Sequence, residues 1–179
     1  MRSAARKLTY ADYEKMPADG FRHEIIDGAE LMTPAPNPDH QAVVVNLAAL
    51  LRDHTKEQSL GRVFVAPTDV VLSLHDLVQP DVFFVLEARA HIVGPKSIEG
   101  APDLVIEVLS PSTEAVDRVQ KRGLYDRSGV REFWMIDPAS RTVEIHEFGS
   151  PRRTRIYKEG QSFESVVLPG LTVHLADIF

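Results

Sequence analysis

Asp81 and Glu107 are the residues of this chain whose placement most needs a chemical reason. Each stands in a short apolar run that reads as a buried strand: Val78-Gln79-Pro80-Asp81-Val82-Phe83-Phe84-Val85 and Asp103-Leu104-Val105-Ile106-Glu107-Val108-Leu109-Ser110. Burying an ionised carboxylate without a partner is costly. Period-two geometry puts Asp81, Phe83 and Val85 on one strand face, and Asp103, Val105, Glu107 and Leu109 on one face of the other. Neighbouring strands would therefore bring Asp81 and Glu107 together. The helix expected after the second run carries Lys121, which shares a face with Leu124, Tyr125 and Ser128; the two apolar members would turn that face to the sheet. A divalent metal held by Asp81 and Glu107, with the Lys121 ammonium beside it, accounts for all three. That is the layout of a metal-dependent phosphodiester hydrolase, the lysine orienting water or stabilising transition-state charge.

Each of these residues also has a plainer explanation. Asp81 follows Pro80, and a proline–acid pair is ordinary turn chemistry. Glu107 could pair with a core arginine, and Lys121 lies four residues after Asp117, the spacing of a surface ion pair. Two further polar residues are candidates of the same ambiguous kind. Glu24 is either a half-exposed strand acid or an auxiliary site residue, and His40 either a capping residue or another auxiliary. A second proline–acid pair, Pro102-Asp103, competes with the first. Asp103 and Glu107, however, are separated by about 13 Å at ~3.3 Å per residue, too far to hold one ion together. Asp81 is the better partner for Glu107.

The elements that must position these residues follow from the pattern around them. Thr9 to Met16 suggests a short helical turn. Phe21 to Ile26 reads as a strand turning at Asp27-Gly28 into Ala29 to Met32, the strongest local hairpin signal. Asn37-Pro38 offers a cap and a first-turn proline, and Val43, Val44, Leu47, Leu50 and Leu51 recur at helical spacing from Asp39 to about Gln58. Arg62 to Ala66 and Asp69 to Leu74 read as strands ahead of the two acidic ones. Ser110 and Pro111 suit the start of the next helix and Gly129 follows its end. Strands at Arg131 to Ile136 and Thr142 to Phe148 follow, with further edge strands at Arg153 to Lys158 and Ser162 to Leu168. This succession describes a mixed α/β (α+β) domain with a central mixed β-sheet flanked by helices and an N-terminal β-hairpin. No repeat or linker divides the 179 residues, so a single domain spanning 1–179 is expected.

Composition narrows the chemistry further. With no cysteine, thiolate nucleophiles, disulfides and Cys-based metal sites are excluded, and any metal is held by oxygen or imidazole. A net charge of −6 argues against a protein that coats nucleic acid by neutralising many phosphates. Two basic groups, Arg118, Lys121, Arg122 and Arg127, and Arg152, Arg153, Arg155 and Lys158, read as solvated faces mixed with acids or as a local basic surface. Neither a signal segment nor an apolar run of membrane-span length is present, so a cytoplasmic protein is expected.

Taken in order, Glu24-Ile25-Ile26-Asp27-Gly28, Pro38-Asp39-His40, Val78-Gln79-Pro80-Asp81, Ala101 to Thr113, Lys121 to Tyr125 and Gly129 to Pro138 resemble the bacterial Uma-two family of restriction-endonuclease-like proteins, placed in the PD-(D/E)XK nuclease superfamily. The likeness runs from about Leu8 to Phe179 and includes Leu168-Pro169-Gly170-Leu171. It implies magnesium-dependent cleavage of phosphodiester bonds, Mn²⁺ being an alternative, with DNA the expected substrate. By position, Asp81 is the motif aspartate, Glu107 the acid of the second half-motif, and the Val108 backbone carbonyl a further metal ligand. Glu24 and His40 match positions near the site. One departure is plain: two residues after Glu107 stands Leu109, not lysine, so Lys121 would supply that ammonium from the adjacent helix. Double-strand cleavage by one small domain needs two sites, so a homodimer is expected, with apolar edge strands as its surface. Two rival readings are a nuclease-like domain that no longer cleaves and serves as a nucleic-acid-binding or regulatory module, and a metal-free structural protein with core-paired carboxylates.

Overall fold

The structure, a computed structural model, describes residues 6–17, 19–110 and 117–179. After a one-turn helix, α1 (Tyr10–Tyr13), the chain forms the hairpin β1 (Arg22–Ile26) and β2 (Ala29–Thr33). Asp27 and Gly28 have φ of +52° and +77°, the doubly left-handed turn that matches strand twist and that an Asp-Gly pair favours. The long helix α2 (Pro38–Glu57) starts as its sequence dictates, with the Asn37 side chain accepting from the His40 N–H at 2.8 Å and proline in the first position.

Strands β3 (Gly61–Val65), β4 (Val70–Ser73), β5 (Asp76–Val78), β6 (Val82–Leu86), β7 (Ile98–Glu99) and β8 (Leu104–Val108) follow. Asp117–Lys121 winds as π-helix into α3 (Arg122–Ser128), which Gly129 closes at φ +92°. The expected start of this helix at Pro111 lies outside the described residues. The chain continues through β9 (Glu132–Asp137), β10 (Thr142–Glu147), β11 (Arg153–Lys158), β12 (Ser162–Glu164) and β13 (Thr172–His174).

One sheet has the order β2-β1-β5-β4-β7 and a second the order β11-β10-β9-β8-β6-β3, with β12 and β13 paired separately. Among the described residues only β8 and β9 run parallel in the second sheet, joined across the segment that ends in α3. That sheet is covered on both sides. Val43, Leu47 and Leu51 of α2 pack on Val82, Phe84, Leu104, Ile106 and Trp134; Leu124 and Tyr125 of α3, with Ile26, Val70 and Val78 of the first sheet, pack on Phe83, Val105 and Phe133. Burial on both faces explains why β6 and β8 read as unbroken apolar runs.

The expected strand from Val78 to Val85 is in fact two. Pro80 has no N–H to give a ladder, so β5 ends at Val78 in the first sheet and β6 begins at Val82 in the second. Asp81 therefore sits in the link where the chain passes from one sheet to the other.

Candidate functional site

Four segments converge on this link. The register of β6 against β8 pairs Val82 with Ile106, so one step further sets Asp81 opposite Glu107 on the face shared by Phe83 and Val105. From the first sheet, β1 presents Arg22 and Glu24, two residues apart and hence on one strand face. The first turn of α2 brings His40, and the π-helical turn before α3 brings Lys121. Such turns are rare and recur at functional positions.

Asp81 is 3 % exposed. Its Oδ2 accepts from the Val108 N–H at 2.9 Å and lies 3.2 Å from His40 Nε2; its Oδ1 accepts from Arg22 Nη1 at 3.0 Å. Burial pushes its pKa up, but the His40 contact, the Arg22 charge and the Val108 N–H together hold the carboxyl at about 2. Glu107 accepts from Tyr125 Oη at 2.6 Å and from Lys121 Nζ at 3.1 Å, both on Oε1. Lys121 Nζ also forms an ion pair with Glu24 Oε2 at 2.9 Å, while Glu24 Oε1 accepts from the Gln79 N–H at 2.8 Å. Burial works against the Arg22 charge; Asp81, Glu107 and Glu24 outweigh it and raise its pKa above the ordinary value.

All five residues singled out by type and spacing, Asp81, Glu107, Lys121, Glu24 and His40, thus meet in one place. Lys121 is buried between Glu24 and Glu107 rather than paired on the surface. Arg22 and Tyr125 also belong to the cluster and were not candidates. The available signals were modest: Arg22 shares the strand face of Glu24, and Tyr125 lies one helical turn after Lys121, where it reads as an apolar packing residue. The rival proline–acid pair separates cleanly. Asp103 accepts from the Leu86 N–H at 2.9 Å and from Arg89 Nη1 at 3.0 Å, away from the cluster. Of the two basic groups on the surface, Arg118 pairs with Glu144, Arg127 with Asp76, Arg152 with Asp126 and Arg155 with Glu147, the pattern of a solvated face.

The donor set suits a hard cation. Asp81 and Glu107 stand on facing strand positions with Glu24 nearby, and each acid is matched by a cation, Arg22 for Asp81 and Lys121 for Glu24 and Glu107. Among the described residues no group of three or more His, Asp or Glu side chains is placed to hold a metal ion by itself. Magnesium fits this arrangement, because it is held through one or two carboxylates together with water and substrate phosphate. Among the described residues, a cleft of about 610 Å³ lined by Tyr13, Phe21, Arg22 and Gln79 borders the cluster at Arg22, and another of about 430 Å³ lined by His40, Leu109 and Arg141 borders it at His40.

The fold recurs in a solved structure from Anabaena variabilis titled as "a putative nuclease belonging to DUF820", with a TM-score of 0.78 and 23 % identity over 96 % of this chain and 97 % of that one. An uncharacterized protein of Synechocystis sp. is 30 % identical over 129 residues, 69 % of this chain; the aligned part spans 64 % of that relative's length. Among the described residues no helix is long and apolar enough to cross a membrane. Residues 10–176 match the Uma2 family, described as "Putative restriction endonuclease", and the chain belongs to that family.

Proposed function

We propose that this chain is a magnesium-dependent endonuclease that hydrolyses phosphodiester bonds of DNA, acting as a single domain over residues 1–179. The observation that carries this reading is the convergence of Glu24, Asp81 and Glu107 from three separate segments on two cationic side chains, one of which, Arg22, lines an open cleft. Asp81, Glu107 and the Val108 carbonyl would hold the Mg²⁺ or Mn²⁺ ion. When bound, the ion supplies Lewis-acid neutralisation of charge on the phosphate and the departing oxygen.

The side chains divide the remaining work. Tyr125 fixes the Glu107 carboxylate, and His40 with the Val108 N–H fixes that of Asp81, so both acids are oriented before substrate arrives. Lys121 spans Glu24 and Glu107 and presents an ammonium to the water that attacks phosphorus. That attack forms one P–O bond and breaks one ester P–O bond, leaving a hydroxyl and a phosphate monoester. One copy carries one such centre, so a cut through both strands takes two copies, and we infer a homodimer on DNA.

The test is cleavage of supercoiled plasmid and of short single-stranded and branched DNA in Mg²⁺ or Mn²⁺, comparing the parent with Glu107→Ala and Lys121→Ala. Cutting by the parent that both variants lose while folded supports the reading. Calorimetry adds an independent measurement: Asp81→Ala should bind Mg²⁺ more weakly than the parent, and equal binding would remove Asp81 from the metal site. One observation favours a second reading, a non-cleaving nucleic-acid-binding module, because Lys121 and Arg22 already neutralise the carboxylates. Nucleic-acid binding that is unchanged in EDTA, without nicking in either metal, would select it.

A further inference from the structure

We propose that Arg22 is the residue through which this site grips the backbone phosphate of its substrate. This rests on the nuclease reading above and adds a contact that the reading does not contain. The two cations of the cluster are not equivalent. Lys121 is 3 % exposed and enclosed by Glu24 and Glu107, whereas the Arg22 side chain is 19 % exposed and lines the cleft of about 610 Å³. A ligand entering that cleft meets Arg22 before it meets any carboxylate's buried counter-ion.

The guanidinium is anchored and yet has capacity left. Its described hydrogen bonds, to Asp81 Oδ1 at 3.0 Å and to the Gln79 carbonyl at 3.2 Å, both use Nη1; Nε and Nη2 make none among the described residues. A guanidinium is planar and carries five donors, so one edge can stay on Asp81 while the other takes a phosphate. The anchor also fixes distance: whatever that second edge binds is held within one side chain's width of the Asp81 carboxylate. The charge of the rest of the surface makes such a contact useful. The net charge is −6, and Arg118, Arg127, Arg152 and Arg155 are each paired with an acid, so the overall field does little to hold a phosphodiester chain and a local contact counts for more.

The plain alternative is that Arg22 serves only as the counter-ion of Asp81. The experiment separating the two is fluorescence anisotropy of labelled single-stranded and duplex oligonucleotides of unrelated sequence, in EDTA over a range of salt, with thermal melts on every variant. Arg22→Gln should weaken binding roughly ten- to hundredfold, the loss of one charge-assisted contact. The loss should be alike for all sequences, and the slope of log affinity against log salt should fall by about 0.7–0.9. Arg22→Lys should recover part of both, while Asp81→Asn, which removes an anion and keeps Arg22, should bind at least as tightly as the parent. An Arg22→Gln variant with a lower melting temperature but the parent's affinity and salt slope overturns the proposal, and leaves the nuclease reading standing if the parent cuts. A parent that neither binds nor cuts any oligonucleotide overturns both.

Discussion

At the scale of single residues, the cluster is a problem of charge burial solved by mutual pairing. Removing one partner from a buried set leaves another uncompensated, so Lys121→Met should cost about 3–5 kcal/mol in denaturant unfolding. Combined with Glu24→Gln it should cost less than the sum of the two single changes, because the residues share one contact. Asp81 gives a pH signature. Its folded pKa of about 2 lies below the ordinary aspartate value of 3.8, so its stabilisation is complete above about pH 4 and is lost as pH falls through about 2. The parent should lose on the order of 2 kcal/mol across that window, and Asp81→Asn should not. Asp81 and Glu107 stood out because charges in apolar runs are conspicuous, and Lys121 because it shares a helix face with Leu124 and Tyr125. Arg22 and Tyr125 were not, because an arginine at a strand edge and a tyrosine on a helix face are ordinary, and only the fold shows what they reach.

At the scale of elements, the hairpin and α2 could be read directly, since Asp27-Gly28 and Asn37-Pro38 are local chemical instructions. The break between β5 and β6 was not, for the apolar pattern runs through Pro80 although the ladder cannot. The hairpin matters because β1 carries Arg22 and Glu24. Gly28 has φ +77° and its missing Cβ would meet the Lys7 side chain. Gly28→Ala should therefore cost about 1–2 kcal/mol from backbone strain alone, lowering Tm by roughly 2–8 °C at this chain length. The same hairpin holds His23 between Asp19 and Glu30, at 2.9 and 2.8 Å, and those carboxylates raise its pKa above 6.5. The clasp is fully present below about pH 6.5 and loosens as pH rises through the raised value. An NMR titration of the ring should show that shifted midpoint, and His23→Gln should abolish the corresponding pH dependence of stability.

At the scale of the molecule, the alternation of strand and helix patterns was enough for a mixed α/β fold, whereas the division into two sheets was not visible in it. Sheet membership depends on which strands meet across long sequence separations, as when β1 joins β5. If two copies are needed for two cuts, plasmid nicking should rise linearly with protein concentration and linearisation more steeply; proportional growth of both would favour action by one copy. The Lys121 bridge has a consequence that reaches beyond this chain. It joins Glu24 of one sheet to Glu107 of the other and so acts as a rivet between the halves of the molecule. Selection for a foldable protein would then preserve this lysine even in descendants that have abandoned their chemistry. Its retention in a lineage would then record architecture, and the loss of that lineage's activity should be sought first at the mouth of the cleft.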